Sequence, residues 1–209
     1  MQCESEMVLA VPILEKVHNK NLILYDYTIS PIHARALQMA VKYFENFVHK
    51  VLFDNCGLND ESFAKIIESC NQLKEFKSII YRRNEFGMQS AQAVVNLLKR
   101  KVPHHLDEFK IQDCKIDVHT SEFLISNMLQ QSHLRSLQLT NIKLSSGSLQ
   151  KLCQYIESNK AIQSIDLGWS NLTPKNITEL LLVLKNNRVL RSVSLQWNQL
   201  VNFSFAMRD

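Results

Sequence analysis

Three segments of this chain can be laid over one another with nothing inserted: LRSLQLTNIKL from Leu134, IQSIDLGWSNL from Ile162 and LRSVSLQWNQL from Leu190. In each, an apolar residue stands at positions one, four, six and eleven. Four weaker copies precede them, and with position four as anchor the series reads Leu22, Val51, Ile79, Phe109, Leu137, Ile165 and Val193. The steps are 29, 28, 30, 28, 28 and 28 residues. A period held this closely while the intervening sequence changes requires stacked units, each burying a face only against its neighbours.

Within a unit the pattern changes period. Positions four and six pair as Leu22/Leu24, Val51/Phe53, Ile79/Tyr81, Phe109/Ile111, Leu137/Leu139, Ile165/Leu167 and Val193/Leu195, and a spacing of two puts both side chains on one face of a strand. Between strands, residues 60–70, 88–101, 121–131 and 147–159 carry apolar side chains at steps of three and four, which predicts amphipathic helices. Asp60, Ser146 and Thr173 stand where N-caps are wanted, the last followed by Pro174 at the first helical turn. In the third unit a register starting at Leu73 is also open, but the one that places Asn84 at position nine keeps the step at 28.

Position nine falls at the turn after each strand and faces inward, where a small polar group can pair turn backbone that would otherwise be buried unsatisfied. It reads Tyr27, Cys56, Asn84, Cys114, Ile142, Ser170 and Asn198, and Cys56, Asn84, Cys114, Ser170 and Asn198 are expected to be buried. The alternation Cys56-Asn84-Cys114, with units of 28 to 30 residues and full helices, resembles the ribonuclease-inhibitor-like class of leucine-rich repeats. The resemblance covers about residues 19–200 and departs from the pattern at Asn19 and Tyr27. It implies an α/β solenoid, a horseshoe of about seven repeats with parallel strands on the concave face and helices on the convex face. The expected organisation is an N-terminal cap over 1–18, partly helical between Glu6 and Asn19, seven repeats over 19–202, and an incomplete tail over 203–209. An eighth helix should begin where the chain reads NFSFAMRD, so the chain is expected to be a piece of a longer repeat protein, the alternatives being a folded-back tail or another covering of Val193 and Leu195.

Composition narrows the function classes. The net charge of +4 comes from basic residues scattered among acidic ones, and the longest basic run is Lys99-Arg100-Lys101 at a predicted helix end, where cations stabilise the dipole. No nucleic-acid surface is expected, and aromatic residues are not interleaved with basic ones along a face. The start, MQCESE, is acidic where a secretory signal is basic, and the apolar run from Met7 to Leu14 contains Pro12. No run is long enough to span a bilayer, so neither export nor membrane insertion is expected. Five cysteines without a CxxC pair fit a reducing, cytoplasmic setting. Sequons at Asn171, Asn176 and Asn202 then go unused.

Catalytic and metal patterns are missing. Cys56 and Cys114 are two repeats apart, roughly 10 Å at the usual strand spacing and beyond disulfide reach. Cys114 with His119, or His104 with His105, lacks a second ligand pair at finger or ribbon spacing. The four glycines are too dispersed for a phosphate loop, and no GxSxG occurs. No cofactor and no enzymatic activity are expected. Ran GTPase-activating protein shares this fold class and acts through an arginine on a loop after a strand, so the resemblance admits Arg82 and Arg83 in a small-GTPase regulator as the alternative function.

The leading expectation is a protein-binding scaffold, whether cytoskeletal, axonemal or in signalling, that holds its partner on the concave face or rim. Position five reads Ile23, Leu52 and Ile80 before turning polar at Lys110, Gln138, Asp166 and Ser194. Position eight reads Asp26, Asn55, Arg83, Asp113, Asn141, Trp169 and Trp197, so both tryptophans fall on adjacent copies of one rim position. Exposed aromatic anchors are enriched at binding hot spots. Trp169, Trp197, Asp166 and Gln196, a second apolar patch of Ile23, Leu52 and Ile80, and the pair Arg82 and Arg83 are therefore the expected partner-binding residues. The competing reading is that the N-terminal cap covers the apolar patch and that the tryptophans pack on further repeats.

Overall fold

A computed structural model describes residues 17–43, 48–99, 106–128 and 133–199. The cap through residue 16, Cys3, Arg100, Lys101, His104, His105 and the tail from residue 200 lie outside the described residues.

Eight strands form one sheet in chain order: β1 (Val17–His18), β2 (Asn21–Tyr25), β3 (Lys50–Asp54), β4 (Ser78–Arg82), β5 (Glu108–Gln112), β6 (Ser136–Thr140), β7 (Ser164–Asp166) and β8 (Ser192–Ser194). β2 to β8 are parallel, and the register places Leu22, Val51, Ile79, Phe109, Leu137, Ile165 and Val193 in a single row. The seven anchors of the period are thus direct neighbours, and in the third unit the register with Asn84 at position nine is the one adopted. Among the described residues six helices alternate with the parallel strands: α1 (Pro31–Tyr43), α2 (Asp60–Ser69), α3 (Met88–Leu98), α4 (Val118–Met128), α5 (Ser146–Ser158) and α6 (Pro174–Asn186). Each packs on the next in sequence. The chain is an α/β leucine-rich-repeat solenoid.

The core lies between sheet and helices, where the residues at positions four and six meet the apolar helix faces. Phe53, Phe63, Tyr81 and Phe86 form an aromatic cluster there, with Phe63 and Tyr81 stacked at 3.8 Å. Tyr81 is buried because its hydroxyl has a partner, donating to Glu85 O at 2.9 Å.

Three expectations need correction, at two N-caps, at Asn198 and along the apolar row. The described end of the cap is the strand β1, which runs antiparallel to β2 through a two-residue turn, Asn19-Lys20, at φ 48° and 65°. Two consecutive left-handed residues match the twist of a tight hairpin, which is why Asn19 does not serve as an apolar position one. The N-caps of α2 and α5 are Asn59 and Ser145, one residue before Asp60 and Ser146, because theirs are the side chains that reach the third helical N–H, at Ser62 and Ser148. Thr173 caps α6 as expected, with Pro174 at the first position. Asn198 is half-buried, because no described unit follows to cover it. Finally, Leu52 and Ile80 do not form an open apolar ridge: they are 6% and 4% exposed, while Ile23 is half-buried. Apolar side chains at one register on adjacent strands about 4.8 Å apart pack on each other, which takes much of their surface out of water.

Candidate protein-binding rim

The rim is built by a repeated turn. After each strand, position eight takes a left-handed backbone: Asp26, Asn55, Arg83, Asp113, Asn141, Trp169 and Trp197 have φ between 48° and 59°. The cause is the hydrogen-bond ladder. From Asp26 to Trp169, each position-eight N–H donates to the position-seven carbonyl of the next unit, as in Asn55 to Arg82 O at 3.0 Å, Asn141 to Gly168 O at 2.9 Å and Trp169 to Gln196 O at 3.0 Å. The turn continues parallel pairing past the strand end and swings the following residue inward.

That following residue is position nine, and its side chain donates back across the stack. Cys56 Sγ lies 3.4 Å from Leu24 O, Asn84 Nδ2 3.3 Å from Phe53 O, Cys114 Sγ 3.5 Å from Tyr81 O, Ser170 Oγ 2.9 Å from Leu139 O and Asn198 Nδ2 2.8 Å from Leu167 O. In every case the acceptor is the position-six carbonyl of the preceding unit. The asparagines also accept: Asn84 Oδ1 from Cys56 N and Leu58 N, Asn198 Oδ1 from Leu172 N. Burial pushes the thiols of Cys56 and Cys114 up to about 11, so both are neutral donors. These residues serve the stack, as their template position predicts.

Asparagine and aspartate tolerate a left-handed backbone; arginine and tryptophan do so at a cost of about 1–2 kcal/mol. At Arg83 the compensation is electrostatic. Its Nε donates to Asp54 Oδ1 at 2.7 Å, and its guanidinium lies 3.8 Å from Asp26. The hydrogen bond to Asp54, followed by that residue's charge, raises the Arg83 pKa. Arg82 Nε is buried without a hydrogen-bond partner. An arginine reaching from here toward a partner's nucleotide would first have to release Asp54, a carboxylate that is itself buried.

At Trp169 and Trp197 no such pairing exists. The two indoles stack on each other, ring centroids 5.1 Å apart and planes 21° from parallel, and remain 55% and 69% exposed. They are the most prominent aromatic surface among the described residues. Beside them opens a cleft of about 500 Å³ whose lining includes Asp166, Gln196 and Trp169. The sequence-predicted group Trp169, Trp197, Asp166 and Gln196 is therefore brought together, whereas Leu52, Ile80, Arg82 and Arg83 lie further along the sheet. Sequence reasoning missed Asp113, which also lines this cleft; its place at position eight, one row from Asn141, was the available signal.

Among the described residues no group of three His, Cys, Asp or Glu side chains could hold a metal ion, and no helix is long and apolar enough to cross a membrane.

No family model matches the sequence, and no curated protein matches it significantly. Among solved structures the chain is similar to the tropomodulin C-terminal domain from Caenorhabditis elegans, at 12% identity and a TM-score of 0.59, over 74% of this chain and 92% of that one. A slighter likeness, with a TM-score of 0.44 at 13% identity over 78% of each chain, is to leiomodin-1 actin-binding site 2. At such identities the likeness concerns the fold: a repeat solenoid of parallel strands and helices.

Proposed function

We propose that this chain is a non-catalytic, cytoplasmic protein-binding scaffold whose partner contact is centred on Trp169 and Trp197, with Asp166 and Gln196 beside them. The observation that carries this reading is the stacked, exposed indole pair in backbone positions that disfavour tryptophan. The fold does not call for it, since five of seven units complete the same turn with other residues. Stacking gives back about 0.5–1.5 kcal/mol of the backbone cost, so the pair adds little to stability and presents a large, rigid apolar surface to water. A cytoskeletal regulator is the narrower form of the proposal.

Quantitative capture from cell extract on the immobilised chain tests it, comparing wild type with Trp169→Ala/Trp197→Ala and with Tyr25→Ala, an exposed aromatic at the other end of the sheet. Specific partners should be lost with the tryptophan variant and kept with Tyr25→Ala, all three having the same circular dichroism. Equal capture by all three would remove the tryptophans from the contact. Co-sedimentation of the captured complex with cytoskeletal filaments separates the narrower form from the broader one.

A further inference from the structure

We propose that the cleft beside the tryptophan pair receives a guanidinium group, carried by an extended arginine-containing segment of the partner protein. The inference deepens the interaction reading above and rests on it.

The cleft lies on the polar half of the strand face, between Gln112 and Asp113 on one side and Trp169 and Gln196 on the other. Two of its lining residues are acidic, Asp113 and Asp166, and none is basic. Neither carboxylate forms a salt bridge with a described residue. On the neighbouring strands Lys110 pairs with Glu108 and Arg83 with Asp54, and Arg83 also interacts with the charge of Asp113. Asp166 in particular has no salt-bridge partner among the described residues, on a chain whose overall charge is +4.

The two carboxylates differ in what they have left to offer. Asp113 is used on both oxygens, Oδ1 accepting from Asn141 Nδ2 at 2.9 Å and Oδ2 from Gln112 Nε2 at 3.1 Å. Asp166 is held by one oxygen only, Oδ1 accepting from Gly168 N at 2.9 Å. Its Oδ2 takes no hydrogen bond from any described residue, although the side chain is half-buried. A carboxylate with one oxygen uncommitted among the described residues, lining the same cleft as an exposed indole, suits a planar cation. A guanidinium can lie flat on an indole while its N–H fork reaches a carboxylate, which a lysine ammonium does less well. A metal ion is the other ligand that two carboxylates could attract, but no third acidic, His or Cys ligand joins them. The width of the site also fits a chain segment: successive strands about 4.8 Å apart present Gln112, Gln138 or Thr140, Asp166 and Gln196 as hydrogen-bonding groups across an extended backbone.

The probe is a pair of degenerate peptide pools with three random uncharged, non-aromatic residues on each side of a central arginine or, in the second pool, a central citrulline, which keeps the shape and removes the charge. Retention is measured on immobilised wild type, Trp169→Ala/Trp197→Ala and Asp166→Asn, which preserves the acceptor for Gly168; Asp166→Ser, whose hydroxyl can also accept from Gly168, replaces it if that variant fails to fold. The arginine pool should be retained at least tenfold longer than the citrulline pool on wild type. That ratio should fall toward one on Asp166→Asn, and both pools should be released early from the tryptophan variant. Equal retention of the two pools on wild type overturns the proposal. If both pools then still depend on the tryptophans, the indole contact survives and only the charge chemistry fails. Undiminished arginine retention on Asp166→Asn also overturns it.

Discussion

Asp60, in the first turn of α2, accepts a hydrogen bond from the backbone N–H of Gly87, 2.9 Å from its Oδ1 and one repeat downstream. The same carboxylate takes Ser90 N at 2.8 Å and Gln89 N at 3.1 Å, so it caps α3, whose own N-cap residue is a glycine without a side chain to offer. Asn59 is left to cap α2, and the two helices are locked in register. Asp60→Ala should destabilise the fold by about 1–2 kcal/mol in urea titration, the loss of a charged cap. Gly87→Ala should also destabilise, since an added Cβ would lie 2.5 Å from Asp60 Oδ2. In Asp60→Ala/Gly87→Ala the effects should sum to less than the two separately, because the clash disappears with the carboxylate.

The position-nine ladder predicts unequal costs for one substitution. Asn84→Ala strands the N–H groups of Cys56 and Leu58 and weakens two carbonyl partners in a buried turn, which should cost about 3 kcal/mol. Asn198→Ala strands one N–H group, that of Leu172, in a half-buried turn where water can substitute, and about 1 kcal/mol is expected. Chemical denaturation of the two variants gives the comparison, and equal costs would mean that the last turn is as well covered as the third.

The buried thiols predict a pH dependence. In the folded chain Cys56, Cys114 and Cys153 are pushed by burial up to about 11, against an ordinary value near 9. As pH rises past 9 the unfolded chain loses these protons first. Their contribution is therefore complete below pH 9 and declines between pH 9 and 11. The urea midpoint should fall across that window, and less steeply in Cys114→Ala. Thiol reagents at neutral pH should label Cys56 and Cys114 only on unfolding, since both are buried.

Tryptophan at a left-handed position predicts a separation of stability from binding. Trp169→Asn and Trp197→Asn install the residue that stands at this position in two other units, as Asn55 and Asn141, and that backbone sterics favour over tryptophan there. The loss of stacking and the relief of backbone strain are each about 1 kcal/mol, so the double variant should keep its thermal midpoint within a few degrees while losing partner capture. A large drop in the midpoint would mean that the indole pair is a structural element.

The repeat, the strand row and the inward turn residues were determined by the sequence alone, because a one-dimensional stack repeats its constraints every 28 to 30 residues and each copy corrects the reading of the next. So was the adjacency of Trp169 and Trp197, since equal template positions in consecutive units must be neighbours. Tertiary structure decided what depends on contacts between units at unequal positions. Local sequence places Asp60 at the cap of its own helix, and only the packing of α2 on α3 turns it to the next. Leu52 and Ile80 share a strand face with Lys110 and Gln138, and periodicity could not say that the first two would be buried and the last two only half-buried. The free oxygen of Asp166 and the double engagement of Asp113 likewise follow from side-chain directions across neighbouring strands, which no spacing along the chain encodes.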